Sequence, residues 1–280
     1  MLSNAEAAVY DRQIRLWGVS GQFAIKKATT LVIGLTPAAV ETCKNLILAG
    51  SNLAILETGE SEGSNFLIKL EGIPDEVGSV AVRTAAALRG LNPMANIQIV
   101  DSHEHGNFDI ALVSLNIWSV EKTAALKMRN LIATVETLSG TFSFLTCDGH
   151  IVSETSKPTD ALPAVISSID FAQLCMQQIP RATRKDVHMF RDALSFITKG
   201  ESLDLAGGSP AVAAITGGLL AEECLKIFTQ KDFPLLNTIT VDGESCSASV
   251  RQVGECAVVF KGTVVEDVEI VGGSDALALD

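Results

Sequence analysis

The chain has 280 residues, 47% of them apolar and 19% charged, with a formal net charge of −12. That length accommodates one large α/β domain with at most a small insert, and the negative balance argues against nucleic acid or anionic membrane as partners. No run of about eighteen apolar residues marks a membrane-spanning helix, and the opening MLSNAEAAVYDRQ lacks the basic-then-apolar layout of a signal peptide.

Residues 5–28 precede the first predicted strand. Tyr10, Ile14 and Trp17 fall at near-helical spacing. Gly18 and Gly21 are expected to break this helix, with another running from Gln22 to Lys27. The stretch 10–18 is dense in large interface-type residues. The plainer alternative is a helix packed on the domain, with Arg12 and Arg15 in water.

The stretch from Thr29 to Glu57 reads as strand, tight turn, helix, strand. Leu31, Val32 and Ile33 form a short apolar run without alternation, the pattern of a strand buried on both faces in a parallel sheet. Ala39, Val40, Cys43, Leu46 and Ile47 lie close to helical spacing, and Gly50 stands where a helix C-cap glycine belongs. Leu53–Leu56 is the next strand, ending at the acidic Glu57. This is the first βαβ unit of a nucleotide-binding sheet.

The turn is nevertheless wrong for its usual task. A phosphate-binding turn needs small residues, so that backbone N–H groups approach the phosphates at a helix N-terminus. Here it reads Gly34-Leu35-Thr36-Pro37-Ala38-Ala39. Only Gly34 fits, Pro37 has no N–H, and Ala39 adds a methyl where backbone must come close. The expectation is a nucleotide-binding fold that has lost its own nucleotide.

Further on, an Ala-rich helix is predicted over 78–91, ended by Asn92-Pro93. Strands follow at 97–100 and 108–115, then a helix over 119–133, a fifth strand at 142–147, a turn at 148–150 and a strand at 151–153. This alternation predicts a doubly wound Rossmann-like sheet. Two helices, 170–178 and 186–199, are expected in a polar insert at about 155–205 within a single domain spanning 1–280. Ser209 and Pro210 open a helix to Phe228, in which Gly217-Gly218 permits close backbone contact. Strands at 235–241 and 247–252 flank an Asp242-Gly243 turn. The acidic-apolar tail from Gly262 reads as a final strand and frayed end; adding to a partner's sheet edge is the alternative.

The six cysteines are Cys43, Cys147, Cys175, Cys224, Cys246 and Cys256, none in a C-x-x-C pair. Scattered thiols of this kind suit a reducing compartment, nucleus or cytoplasm. None looks like a reactive nucleophile. His103-Glu104-His105 reads as a solvated loop, and no metal site is expected.

Four segments carry a resemblance: YDRQIRLWG at 10–18, KNLILAG at 44–50, LNPM at 91–94 and GGLLAEECLKIFTQKDFPLLNTITVDG at 217–243. Together they resemble the small, non-catalytic subunits of heterodimeric E1 enzymes, the ubiquitin-activating-like adenylation family, and most nearly the SUMO-activating type. The likeness is strong along 5–100 and near the C-terminal end, and weak from about 105 to 205. NLILAG, LNPM and the compact length favour SUMO; a NEDD8-type regulatory subunit is the alternative.

The resemblance implies an E1/ThiF-type adenylation domain with a degenerate nucleotide site. ATP and magnesium, and the thioester cysteine, would then belong to a catalytic partner subunit. That partner would adenylate the C-terminal glycine of the modifier and hand it on, indirectly, to a conjugating E2. Active domains of this family place an Asn and an Arg where this chain has Leu67 and Ile68. Glu57 takes the place of a ribose-binding Asp and would be structural. Arg12 matches an arginine that reaches in trans to the partner's ATP phosphates; Arg15 is the fallback, and Tyr10, Ile14 and Trp17 would position it and line the interface. Two other readings remain: a self-sufficient homodimeric adenylating enzyme, and an NAD-dependent oxidoreductase. The damaged turn and the lack of a second tyrosine speak against the oxidoreductase.

Overall fold

The structure is a computed structural model. It describes residues 2–58, 78–104, 106–118, 130–136, 140–147, 210–232, 237–243 and 246–251, the short strands at 258–260, 263–265 and 277–278, and single positions in 67–76, 122–128 and at 234.

Strand β1 (Thr29–Ile33) enters the molecule with Leu31, Val32 and Ile33 all fully buried. Val32 belongs to one hydrophobic cluster while Leu31 and Ile33 belong to another. β2 (Asn52–Leu56) repeats the division, with Leu53 and Ile55 on the first side and Ala54 and Leu56 on the second. A side-chain period of two across a sheet covered on both faces has this signature. Each fully buried Leu or Ile contributes about 1.5–3 kcal/mol of transfer free energy.

The remaining strands are β3 (Ile97–Val100), β4 (Ile110–Ser114), β5 (Asn130–Glu136), β6 (Gly140–Cys147), β7 (Asn237–Asp242), β8 (Ser247–Arg251), β9 (Val258–Phe260), β10 (Thr263–Val265) and β11 (Leu277–Ala278). The main sheet runs β11-β8-β7-β6-β5-β4-β1-β2-β3. From β5 to β3 it is parallel; β6, β7, β8 and β11 join antiparallel. β9 and β10 pair separately.

The helices among the described residues are α1 (Asn4–Val9), α2 (Asp11–Lys27), α3 (Pro37–Ala49), α4 (Val80–Leu91) and α5 (Pro210–Thr229). α3 starts on Pro37 and ends on Gly50 in the left-handed conformation, φ 93°, as the sequence pattern predicts. α5 lies on α3. A Cβ at Gly217 would sit 2.4 Å from Glu41 Cβ and 2.8 Å from backbone atoms of Glu41 and Thr42, whereas Gly218 faces open space. Close approach therefore rests on the first glycine alone.

Three expectations are corrected. The helix predicted over 119–133 overruns a strand: Leu131, Ile132 and Ala133 pair with Ala111, Leu112 and Val113, since a short apolar run followed by Thr134-Val135 fits a buried strand as well as a helix. The strand at Phe142–Cys147 is thus the sixth, and forms an antiparallel hairpin with β5. Gly21 does not break α2, which departs from helical geometry only at Gly18 (φ 78°, ψ 169°). Gly21 instead makes room for Trp17, whose Cβ would lie 2.6 Å from an added methyl.

The predicted turn at 148–150, strand at 151–153, insert at 155–205 and Ser209 cap lie outside the described residues.

Candidate functional site

The chain leaves β1 toward β2 and β3 on one side and returns to β4 on the other. The carboxyl ends of β1 and β4 therefore flank the topological switch point, where open α/β sheets bind ligands. Gly34 opens the turn there with φ +84°, and an added Cβ would lie 3.0 Å from Ser114 Cβ and 3.1 Å from Ile117. Both conformation and space require glycine at this position. Thr36 occupies the N-cap of α3, but its side chain makes no capping bond, and its Oγ1 is buried without a hydrogen-bond partner among the described residues. Pro37 offers no N–H.

The first turn of α3 is satisfied from within the chain. Ala38 N–H donates to Glu136 Oε2 at 3.1 Å. Glu136 ends β5 and is 4% exposed. Asn116, just beyond β4, clamps it: Glu136 N–H donates to Asn116 Oδ1 at 2.9 Å, and Asn116 Nδ2 donates back to the Glu136 carbonyl at 2.9 Å. A carboxylate thus sits where unpaired helix N–H groups and the helix dipole would otherwise receive a phosphate. Sequence reasoning missed Glu136, which lies 98 residues from its donor. The available signal was an acid closing the apolar run Asn130–Glu136, at the carboxyl end of a parallel strand.

The adjoining cleft is lined by Gly34, Leu35, Glu57, Val80 and Ile117. Glu57 accepts a hydrogen bond from Ser79 Oγ at 2.5 Å, and Ser79 also caps α4 through Val82 N–H. Its carboxylate is thereby engaged in holding α4 to the end of β2. Leu67 is 3% exposed and belongs to the hydrophobic core; Ile68 lies outside the described residues.

The N-terminal arm holds the other predicted site residues. Arg12 is exposed on the first turn of α2 and has no hydrogen bond or ion pair among the described residues. Arg15 pairs with Asp11 at 2.8 Å. Ile14 and Trp17 are half-buried. Tyr10 is 3% exposed within this chain, and its hydroxyl oxygen accepts a hydrogen bond from Asn92 Nδ2 at 2.8 Å. The large apolar side chains that this arm presents to solvent are Val9, Leu16 and Val19, each more than half exposed.

Cys43 and Cys224 are fully buried. Burial pushes the Cys43 thiol up to about 12 and that of Cys224 higher still, so neither supplies a thiolate near neutrality. Cys246 is exposed. The side chain of Cys147, and all of Cys175 and Cys256, lie outside what is described. His103 stands edge-on to Trp118 at 6.3 Å, and no three metal-ligating side chains converge among the described residues. No described helix is long and apolar enough to cross a membrane.

Curated proteins are similar to this chain in sequence. SUMO-activating enzyme subunit 1B-1 of Arabidopsis thaliana is 35% identical over 152 residues, covering 48% of this chain and 46% of that protein. SUMO-activating enzyme subunit 1 of Homo sapiens is 37% identical over 103 residues, 35% of this chain and 29% of that protein. The chain is a relative of SUMO-activating enzyme subunit 1. It spans about half the length or less of those two relatives, yet subunit 1A of Arabidopsis thaliana aligns at 24% identity across 91% of this chain and 97% of its own length.

No family model matches. Among solved structures, PaaA superposes with a TM-score of 0.62 at 14% identity, covering 91% of this chain and 85% of that one. E. coli MccB with ATP superposes at 0.56 and 11% identity, covering 88% and 72%. The fold is that of an E1-like adenylation domain.

Proposed function

We propose that this chain is the non-catalytic subunit of a heterodimeric E1 that activates a ubiquitin-like modifier, SUMO by preference, in a reducing compartment, nucleus or cytoplasm. The observation that carries this reading is the Glu136 carboxylate on the first turn of α3. A triphosphate entering there would meet a buried carboxylate and a proline without a donor. The same features disfavour a self-sufficient homodimeric enzyme. ATP and magnesium would be held by the catalytic partner, as would the thioester cysteine.

What this chain would supply is Arg12. A guanidinium stays charged and donates several hydrogen bonds to phosphate oxygens. Exposed on the arm and without a hydrogen bond or ion pair among the described residues, it can engage an external anion. As the modifier's carboxylate attacks the α-phosphorus and pyrophosphate leaves, Arg12 would stabilise the growing phosphate charge in trans. Val9, Leu16 and Val19 beside it would form the apolar part of the interface with that partner.

The test is ATP–pyrophosphate exchange by the heterodimer. Arg12→Ala should lower the rate at least about tenfold, by analogy with the loss of one preorganised donor, while the isolated chain shows no exchange. An unchanged rate in the variant removes Arg12 from the mechanism.

A further inference from the structure

We infer that Tyr10 and Asn92 form a latch that aims Arg12, and are positioning residues for the adenylation step. The inference rests on the reading of Arg12 given above.

The neighbours of Tyr10 on the arm, Val9, Asp11 and Arg12, are exposed, whereas Tyr10 itself is 3% exposed. It occupies the N-cap position of α2 but makes no side-chain cap. Its ring is spent on an anchor instead. The hydroxyl accepts from Asn92 Nδ2 at 2.8 Å, and the same nitrogen donates to the Ile47 carbonyl at 2.7 Å. Asn92 Oδ1 accepts from Met94 N–H at 3.0 Å, so both ends of the amide are committed and its orientation is fixed. Gly50 closes the junction, since a Cβ there would lie 2.7 Å from the Tyr10 hydroxyl oxygen. Three of the segments that mark the chain as E1-like therefore meet at one phenol: Tyr10 at the start of α2, Gly50 past the end of α3 and Asn92 past the end of α4.

The backbone shows why an anchor is needed. The positive φ at Gly18 interrupts α2, so the direction of residues 11–17 is not imposed by the helix that follows. The arm is also tied on its other side: Glu6, held by the Ser3 capping box, reaches Lys26 at 2.6 Å. Tyr10 is the tie nearest Arg12, two residues away. Loss of the hydroxyl leaves the ring to pack but releases the first turn of α2 to pivot about Gly18. A misplacement of about 1 Å at a reacting centre can cost about a hundredfold in rate.

The experiment is a double-mutant cycle on the reconstituted heterodimer, read by ATP–pyrophosphate exchange. Tyr10→Phe should lower kcat at least about tenfold with little change in KM for ATP, and should have no further effect in an Arg12→Ala background. Asn92→Ala should show the same non-additivity. Thermal unfolding and heterodimer affinity, measured alongside, establish that each variant is folded and assembled. If Arg12→Ala impairs exchange while Tyr10→Phe is normal, or acts equally in both backgrounds, the latch is refuted and the Arg12 reading stands. If Arg12→Ala itself leaves exchange intact, both fall.

Discussion

Replacing Glu136 by alanine probes the filled cradle directly. The substitution leaves Ala38 N–H, on a fully buried residue, without its acceptor, and Thr36 makes no side-chain cap that could take over. A charge-assisted hydrogen bond is worth about 1.5–3 kcal/mol, and an anion at a helix N-terminus adds about 0.3–1 kcal/mol. No longer burying a carboxylate offsets part of this, so Glu136→Ala should lose about 2 kcal/mol net. Glu136→Gln keeps an acceptor and should lose about half as much. The assay is urea unfolding of the full chain followed by circular dichroism.

The alanine variant has a second, more specific consequence. With the carboxylate gone, the α3 N-terminus becomes an open anion site. Phosphate at about 50 mM should then restore about 1 kcal/mol to the variant, for a site of about 10 mM affinity. The gain is taken relative to the wild-type protein in the same buffer, so that general salt effects cancel. A variant as stable as wild type, or one that phosphate stabilises no more than wild type, refutes the idea that Glu136 stands in for a phosphate.

Three further outcomes follow from other parts of the molecule. Gly217→Ala should destabilise by about 1–3 kcal/mol, because the methyl meets α3 backbone, whereas Gly218→Ala should gain about 0.5–1 kcal/mol in a helix interior; urea midpoints that move together would contradict the packing described. The Lys26 ammonium, with Ser3, holds the Glu6 carboxyl down to about 2 from 4.5. A lowered carboxylate contributes stability that is complete above about pH 4.5 and lost as pH falls from there toward 2, so Glu6→Gln should flatten the acid limb of the unfolding midpoint against pH, and an unchanged limb would count against the pairing. Arg12→Lys should recover only part of the exchange rate lost in Arg12→Ala, since an ammonium cannot reproduce the guanidinium fork; full recovery would reduce the role to simple charge.

How much of this was legible in the sequence depends on the range of the interactions. The β1–α3–β2 unit was legible because its determinants are local: a continuous apolar run, a proline at the first helical position and a glycine at the end. The damage to the turn was equally local. What filled the turn was not, because Glu136 comes from a strand whose first residues, 130–133, the pattern assigned to a helix, and its partner is 98 residues away. The anchor of Tyr10 was hidden for a related reason. Its spacing to Ile14 and Trp17 places it on their helical face, but it stands at the boundary before α2. Its partner Asn92 lies 82 residues along the chain, beyond any local periodicity.

The most direct measurement is a calorimetric titration with ATP and magnesium, carried out on the isolated chain and on its heterodimer with the catalytic subunit. The account predicts no saturable binding to the isolated chain at millimolar nucleotide, and one site per heterodimer. A stoichiometric site on this polypeptide alone, or two sites per heterodimer, would contradict it.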